Sequence, residues 1–335
     1  MQNHNKRLLA EWEEQSFVQL VFPHKNTDWN IYLDEALNTF VTIAKTIAKY
    51  QKVLIVAPKI RDIKSMFNNK KNMIFIGNID SNDTWSRDFG AITIEENGKK
   101  KLLNFKFNGW GKKYSYKKDN DITFKLKLRG VFKEYNHQNI DFVLEGGSID
   151  SNGLGILLTT TKCLLEKNRN PRLKKPIIEQ RLKQYFGLKK VLWLNHGALK
   201  GDDTDSHIDT LARFVSFNTI VYQTALKSSV NYDELNKMEK ELKKFKTLEN
   251  KPFTLVPLPP IEDISYDDEI LPATYVNFLI INGAVLVPIY GDKNDKKAIE
   301  IFKKLFPKRD IVAVDCKILL RQHGSLHCIT MQYFS

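Results

Sequence analysis

The sequence predicts an α/β fold of similar modules arranged in a ring. Asparagine-containing turns, three of which contain an Asn-Gly pair, lie between apolar runs. Such turns are typical of β-hairpins because their residues tolerate positive φ. The turns recur at intervals of 55, 66 and 64 residues, at Asn97, Asn152, Asn218 and Asn282. Segments with helical and then strand periodicity lie between them, so similar units are favoured over two unrelated domains.

Each element follows from its local pattern. The predicted hairpins pair residues 91–96 with 100–107, 142–149 with 155–160, 211–216 with 219–224, and 275–281 with 284–290. Apolar residues at helical spacing predict helices over 33–49, 178–186, 232–245 and 297–306, and buried strands over 53–57, 191–194 and 311–314. Gly187 is the expected C-cap of the second helix. The terminal strands 17–22 and 326–333 are expected to pair and close the ring.

Composition narrows the class of protein. The chain has 335 residues, of which 42% are hydrophobic, which suffices for a large core and excludes a disordered chain. No window approaches 18 uninterrupted apolar residues, and residues 1–12 lack the apolar stretch of a secretory signal. Three cysteines do not form a disulfide framework in a chain of this size. A cytoplasmic protein is therefore expected.

The net charge of +13 admits two explanations. The lysines are scattered in short runs, such as 99–101 and 243–244, at turns and on polar helix faces. This pattern favours a solvated surface. A basic nucleic-acid-binding protein without catalysis is the alternative, although no zinc-finger, homeodomain or RNP-like signature supports it.

Four segments place ionisable groups beside glycines, at similar positions within the repeated modules. They are 85–90, 144–147, 201–209 and 323–328. Asp88, Glu145 and Asp209 lie nine, seven and nine residues before their turn asparagines. In equivalent modules these carboxylates emerge at the same end of each first strand. They would meet His207 and Cys328 at the ring centre, where such a combination indicates a catalytic site.

Each of these groups also has a structural explanation. A buried cysteine is commonly a small core residue, as we expect for Cys163 and Cys316. A carboxylate before a hairpin can cap a turn, and the Gly146-Gly147 pair can form a bulge. The aspartates of the 201–209 segment other than Asp209 are expected to order that loop: Asp202, Asp203 and Asp205.

The base for Cys328 is expected to come from another segment. His327 and Cys328 are neighbours in a predicted strand, where adjacent side chains point to opposite faces. His207 is therefore the candidate base. A metal site built from His207, Asp209, His323 and His327 is the less favoured reading, because no His-Glu-x-x-His or Cys-x-x-Cys spacing occurs. No metal or other cofactor is predicted.

Several motifs, taken together and in order, resemble the agmatine deiminases and the related bacterial peptidylarginine deiminases. They span nearly the whole chain, at 10–13, 22–24, 85–90 (Trp-Ser-Arg-Asp-Phe-Gly), 107–111, 145–148, 159–164, 205–209 (Asp-Ser-His-Ile-Asp), 277–278, 282–283 and 327–330 (His-Cys-Ile-Thr). The resemblance implies a five-bladed α/β propeller with pseudo-fivefold symmetry, the pentein fold. It also implies a single catalytic domain over 1–335 that hydrolyses a guanidinium group without a metal.

The resemblance also implies a role for each candidate residue. Cys328 is the nucleophile, Asp88 and Asp209 grip the guanidinium nitrogens, and His207 shuttles protons. Glu145 is expected to hold and tune His207, and Trp85 to wall the substrate pocket. The family carries a glycine run before its Asn-x-His-Cys motif, whereas this chain has Gln-His-Gly-Ser-Leu over 322–326. His323 is therefore a candidate additional group. Phe89 and Ala91 also replace the usual Thr and Pro.

The leading hypothesis is hydrolysis of agmatine to N-carbamoylputrescine and ammonia, a step toward putrescine. The alternative within the family is deimination of protein arginine. The resemblance also makes a homo-oligomer an expectation. Neither a membrane nor a nucleic acid is an expected partner.

Overall fold

The computed structural model describes residues 6–335, so residues 1–5 of the segment considered for a secretory signal lie outside the described residues. The strands are β1 Lys6–Leu8, β2 Gln15–Val21, β3 Lys52–Val56, β4 Met73–Ile76, β5 Ile92–Glu96, β6 Lys99–Lys106, β7 Asn136–Val143, β8 Ile149–Ser151, β9 Ile156–Thr160, β10 Lys190–Leu194, β11 Ala212–Ser216, β12 Thr219–Gln223, β13 Thr254–Leu258, β14 Ile264–Tyr266, β15 Glu269–Leu271, β16 Leu279–Ile281, β17 Ala284–Ile289, β18 Asp310–Asp315 and β19 Thr330–Phe334.

Helices lie between and after these strands. The α-helices are α1 Leu33–Ala48, α2 Ile60–Ser65, α3 Ser86–Phe89, α4 Gly109–Lys112, α5 Lys117–Asn120, α6 Ile122–Leu128, α7 Thr161–Leu164, α8 Lys175–Phe186, α9 Tyr232–Leu242, α10 Asp295–Leu305 and α11 Lys317–Leu320. The 3-10 helices are Asp28–Tyr32, Gly146–Ser148 and Ile208–Thr210. In the described part of the chain, no helix has the length and apolar character that crossing a membrane requires.

One pairing pattern recurs in five sheets. An antiparallel pair is followed by a third strand parallel to its second member. The five units are β5-β6-β7, β8-β9-β10, β11-β12-β13, β16-β17-β18 and β19-β2-β3. The last unit joins the two ends of the chain, because β19 pairs antiparallel with β2 as expected from the sequence. The α/β prediction is confirmed, while closure into five propeller blades stays a prediction.

The long helices form where the sequence predicts them. Helix α1 buries Phe40, Ile43 and Ile47 on one face, which follows from their helical spacing. Helix α8 ends at Gly187, which takes a φ of 65° and donates its N–H to the Lys183 carbonyl. Only glycine adopts this left-handed conformation at low cost, so the predicted C-cap is confirmed.

Three predicted strands form only in part, because side chains and tight turns take backbone hydrogen bonds that a strand would use. The predicted strand 142–149 is interrupted by the 3-10 helix Gly146–Ser148, where Ser148 Oγ donates to the Glu145 carbonyl at 2.6 Å. In 275–281, Tyr275 N donates to the Gln223 side chain at 2.9 Å, and β16 begins only at Leu279. At the C-terminus, Thr330 N donates to the His327 carbonyl at 3.1 Å in a turn that precedes β19.

Substitution of Gly187 is expected to destabilise the fold more than substitution of a glycine in an open turn. A Cβ at Gly187 would lie 2.0 Å from the Lys6 carbonyl oxygen, whereas a Cβ at Gly98 meets nothing within 4 Å. Both residues have positive φ, 65° and 74°. Gly98→Ala should therefore cost about 1 kcal/mol, the ordinary left-handed penalty.

We expect Gly187→Ala to cost at least about 1 kcal/mol more than this control, because the backbone must also move. Urea unfolding at one pH measures both free energies of unfolding. Equal losses in the two variants would contradict the close approach of α8 to β1.

Candidate active site

One cavity collects most of the residues that the sequence singles out. Trp85, Asp88, His207, Asp209 and Cys328 all line it. Its remaining wall is formed by Asp28, Asp83, Trp110, Tyr114, Asp202, Asp203, Thr204, Thr210, Gln322, His323 and Gly324. The predicted convergence of these separate segments into one site is therefore seen in the structure. Glu145 is fully buried and does not line the cavity.

The lining residues come from the ends of different sheet units. Asp88 lies in the short helix α3, just before β5, and Asp209 lies in the 3-10 helix just before β11. Cys328 lies in the turn between α11 and β19. Each group therefore stands at the start of a strand, where the backbone is held by the sheet that follows.

Asp88 is held by donors on both of its oxygens. Trp110 Nε1 donates to Oδ2 at 2.8 Å, and Gly147 N donates to Oδ1 at 3.0 Å. Its Oδ1 also lies 3.6 Å from His207 Nδ1. Burial raises the pKa of Asp88 to about 6 despite these contacts. Burial thus destabilises the ionised form of Asp88, and a positive charge placed beside it would stabilise that form.

Gly147 makes this close approach possible. A Cβ at this position would lie 2.7 Å from His207 Nδ1, 2.8 Å from Asp88 Oδ1 and 3.1 Å from Asp209 Oδ2. The Gly146-Gly147 pair is a 3-10 turn rather than the bulge considered from the sequence, and Glu145 is buried.

His207 is surrounded by acidic groups. Burial acts to lower its pKa, but Asp88, Cys163 and Glu145 together raise that pKa well above its ordinary value. Its Nε2 is buried without a hydrogen-bond partner among the described residues. Cys163 is buried as predicted, but its thiol lies in this cluster rather than in a purely apolar core.

Glu145 makes its hydrogen bonds to an arginine. Arg169 Nε lies 2.9 Å from both Glu145 oxygens, and the arginine also reaches Asp205 Oδ2 at 2.7 Å. Glu145 acts on His207 through its charge, as one contributor to the raised pKa. Arg169 neutralises a carboxylate that would otherwise be buried alone.

Glu145, Cys163 and His207 have the donor types of a metal site. One ligand atom from each lies within 4.8 Å of the others. However, Arg169 already occupies both Glu145 oxygens with a positive charge. This arrangement does not favour a cation there, and the absence of a metal stays a prediction.

Cys328 is held by an asparagine amide. Asn277 Nδ2 lies 3.3 Å from Cys328 Sγ, and Asn277 Oδ1 accepts from His327 N at 2.8 Å. Asp209 Oδ2 lies 4.0 Å from the sulfur. Burial, with the nearby Asp209 and Asp88, raises the pKa of the Cys328 thiol well above its ordinary value. This environment therefore disfavours the thiolate form of Cys328.

The expectation that His327 and Cys328 point to opposite faces of a strand is wrong. Both residues lie in the turn before β19. His327 Nδ1 contacts the same Asp209 oxygen, at 2.7 Å, that lies near the Cys328 sulfur. A turn does not impose the alternation of a pleated strand, so neighbouring side chains can face one group.

Trp85 forms a wall of the cavity, packed against Trp29 with ring centroids 5.6 Å apart. A Cβ at Gly324 would lie 2.3 Å from the Trp85 ring. His323 also lines the cavity, and its Nδ1 lies 2.9 Å from the Gly201 carbonyl oxygen. A ring N–H donates in this contact. The altered loop thus brings His323 to the site wall.

Negative charge increases around the site beyond its two buried carboxylates. Asp28, Asp83, Asp202 and Asp203 line the same cavity and are more exposed to solvent than Asp88 and Asp209. Asp202 accepts hydrogen bonds from Thr204 and Ser206, as expected of a loop-ordering residue. Within residues 6–335, no lysine or arginine lines this cavity.

Comparisons with known proteins agree with this site. The family model of the Porphyromonas-type peptidyl-arginine deiminases matches residues 7–333. An agmatine deiminase of Stutzerimonas stutzeri is 30% identical, with 96% of this chain and 94% of that protein covered. The chain therefore belongs to this deiminase family, and the resemblance predicted from the sequence is confirmed.

Solved structures extend the likeness to three dimensions. A cysteine-to-serine variant of C. jejuni agmatine deiminase with substrate bound is 44% identical, with a TM-score of 0.94 over 100% of this chain and 98% of that one. An agmatine deiminase of Enterococcus faecalis is 27% identical, with a TM-score of 0.89 over 98% and 96%. DDAH from Pseudomonas aeruginosa, at 12% identity and a TM-score of 0.53 over 96% and 100%, is similar in its mixed α/β fold alone.

The raised pKa of Asp88 predicts a pH-dependent effect of Asp88→Asn on stability. The folded protein holds the Asp88 proton up to about pH 6, while the unfolded chain releases it near pH 4. The bound proton therefore stabilises the folded protein, and this contribution is lost as pH rises through the pKa of Asp88 in the folded state. A neutral asparagine has no such loss. The difference in unfolding free energy, variant minus wild type, should rise by at least about 1 kcal/mol between pH 5 and 7.5.

Urea unfolding at the two pH values measures this difference. Asp141→Asn is the matched control, because the neighbouring Lys106 holds the pKa of that exposed carboxyl below its usual range. Its difference should not change with pH over the same interval. A constant difference for Asp88→Asn would contradict the raised pKa.

Proposed function

We propose that this chain hydrolyses the guanidinium group of agmatine, giving N-carbamoylputrescine and ammonia. The observation that carries the proposal is the cavity itself: a buried thiol and two buried carboxylates line it together with further aspartates, and no lysine or arginine of the described residues does. Such a site can bind a planar cation through its two carboxylates and place the central carbon of that cation next to the sulfur. The names and structures of the relatives support a reaction at a guanidino C–N bond.

Asp88 and Asp209 have the role of gripping the guanidinium. Asp209 Oδ1 is buried without a partner among the described residues, and it can accept from a guanidinium nitrogen. Asp88, whose burial makes its charge costly, gains a counter-ion at the same time. Trp85 flanks the planar group. The substrate therefore supplies a counter-ion that no lysine or arginine supplies among the described residues lining the cavity.

Cys328 has the role of the nucleophile. A bound guanidinium offsets the repulsion that Asp88 and Asp209 exert on a thiolate, so substrate binding favours the reactive form, with the thiol proton released to solvent and regained when the product leaves. The thiolate forms a C–S bond to the guanidinium carbon. His207, as imidazolium, then protonates the leaving nitrogen, and the C–N bond breaks to release ammonia. An S-alkyl thiouronium adduct remains.

The second half of the reaction uses the same histidine as a base. Neutral His207 takes a proton from water as that water attacks the adduct carbon. The C–S bond then breaks, the thiolate is restored, and the urea product leaves. The remaining proton leaves with ammonia as ammonium, so no net proton is gained or lost. Glu145, anchored by Arg169, supports the imidazolium form through its negative charge.

The acidic approach favours agmatine over arginine derivatives. Agmatine carries an ammonium at its far end, whereas free arginine carries a carboxylate that these aspartates repel. Protein arginine is the alternative, and it lacks the ammonium. The product then retains a urea that a further hydrolysis converts to putrescine, which supports a role in polyamine synthesis in the cytoplasm.

We also infer that the five sheet units close into a propeller whose axis passes near the cavity. Their common pairing pattern and the sheet shared by the chain ends support this arrangement. The whole chain would then form one catalytic domain, with a homo-oligomer as a further expectation from the family.

Agmatine is expected to be the substrate that the enzyme turns over, and Cys328→Ala is expected to abolish turnover. The measurement is release of ammonia and of the urea product from agmatine, free arginine and an arginine peptide. Cys328→Ser should still bind agmatine, because both carboxylates remain. Cys316→Ala, at another buried thiol, is the control and should retain activity. Turnover of the peptide but not agmatine would establish the alternative function.

Asp203 is expected to recognise the ammonium end of the substrate. Asp203→Asn should raise the KM for agmatine about tenfold, the effect of losing one charge-assisted hydrogen bond. The KM for butylguanidine, which has no ammonium, should change little. An equal rise in both KM values would show that Asp203 shapes the site rather than binds the tail.

A further inference from the structure

His327 is a buried histidine for which the reaction above has no role. Its Nδ1 lies 2.7 Å from Asp209 Oδ2, and its Nε2 lies 2.7 Å from Glu11 Oε2. The three side chains are nearly inaccessible to water, with exposed fractions of 2%, 1% and 7% for His327, Asp209 and Glu11. Each ring nitrogen therefore depends on one carboxylate for its hydrogen bond.

Both contacts of His327 can be hydrogen bonds only if the three side chains hold one proton more than a neutral imidazole and two ionised carboxylates carry. A neutral imidazole has one N–H and one bare nitrogen, and an ionised carboxylate only accepts. With two carboxylates and a neutral ring, one nitrogen lone pair would face an anionic oxygen at 2.7 Å. One additional proton, on the ring or on a carboxyl group, makes both contacts hydrogen bonds.

The surrounding charges act in both directions. Arg213 Nη2 donates to Glu11 Oε2 at 2.6 Å, and Arg87 Nε lies 3.5 Å from the His327 carbonyl oxygen. Burial, Arg213 and Arg87 lower the pKa of His327, while Glu11 and Asp209 oppose that change. The short contacts on both sides of the ring favour the extra proton. Without it, one ring nitrogen would direct its lone pair at an anionic carboxylate oxygen and be repelled by it.

We propose that Glu11, His327 and Asp209 share one proton beyond their ordinary ionisation, and that His327 is a positioning residue for Asp209. The first part concerns the protein without substrate. The second part rests on the proposed function, in which Asp209 binds the guanidinium.

The contact determines which oxygen Asp209 offers to the substrate. His327 occupies Oδ2, and Oδ1 is left buried without a partner among the described residues. Rotation of the carboxylate would exchange the two oxygens, and the bond to His327 opposes it. The shared proton also reduces the negative charge beside Cys328, whose sulfur lies 4.0 Å from Oδ2.

Proton release on unfolding tests the first part. Glu11→Gln places an amide N–H opposite Nε2, so a neutral ring makes both contacts. The unfolded chain does not hold the extra proton at pH 7.5–9. The free energy of unfolding of the wild type should therefore fall with rising pH more steeply than that of Glu11→Gln, and the difference in slope should correspond to one bound proton. Urea unfolding across this range gives the slope for each protein.

Equal slopes would overturn the shared proton. Should Glu11→Gln fail to fold because Arg213 loses its ionised partner, His327→Asn supplies the same comparison, since asparagine has no basic nitrogen. Neither measurement requires a substrate, so a failure of the proposed function would leave this test decisive.

A pair of amide substitutions tests the positioning role. His327→Asn keeps a donor near the Nδ1 position that faces Asp209, whereas His327→Gln extends its amide toward Glu11. We expect His327→Gln to raise the KM for agmatine about tenfold or more with a smaller change in kcat, because a ground-state contact is weakened. His327→Asn should stay within about threefold of wild type.

A purely structural role would lower the stability of both variants and shift their KM values equally, and that result would overturn the positioning role. Stability of both variants is measured alongside, so that lost folding is not mistaken for lost binding.

Discussion

The site depends on an imbalance: two buried carboxylates, Asp88 and Asp209, have no arginine partner among the described residues. Two other buried carboxylates near the site each have an arginine: Glu145 contacts Arg169, and Glu11 contacts Arg213. Asp88 and Asp209 have neutral donors and histidines instead, and Asp209 keeps one oxygen unpartnered among the described residues. Because a buried carboxylate without a cation is costly, this imbalance is sustained by the rigid packing around it. Under the proposed function, the same imbalance gives a guanidinium its affinity for the site.

The fold supplies that rigidity by repeating one local arrangement. In the five units an antiparallel pair is extended by a parallel strand, and the reactive groups lie just before the first strand of several pairs. The sheet fixes the backbone after each group, while a short helix or turn directs its side chain inward. Gly147 then allows His207, Asp88 and Asp209 to approach more closely than any residue with a side chain would permit.

Local signals in the sequence predicted the hairpin turns, the long helices and the residues that line the cavity. The partners of those residues were not predictable in the same way. Arg169, Asn277 and Glu11 reach the site across long sequence separations, and no local pattern specifies which cation neutralises which carboxylate. Trp110 lay within a motif, but its hydrogen bond to Asp88 requires left-handed backbone at that turn. The strand predicted over His327 failed because the Asn277 amide and a tight turn take its hydrogen bonds.

Under the proposed function, the raised pKa of Cys328 links substrate selection to reactivity. A thiol that is buried beside two carboxylates is a poor nucleophile in the free protein, which limits its reaction with neutral electrophiles. A cation bound between those carboxylates removes the repulsion and makes the thiolate accessible. The overall charge of +13 has no part in this, because the lysines lie on the surface and the lining of the cavity is acidic. In the proposed reaction, binding energy from the cation is thereby used to generate the nucleophile when the carbon that it attacks is in place.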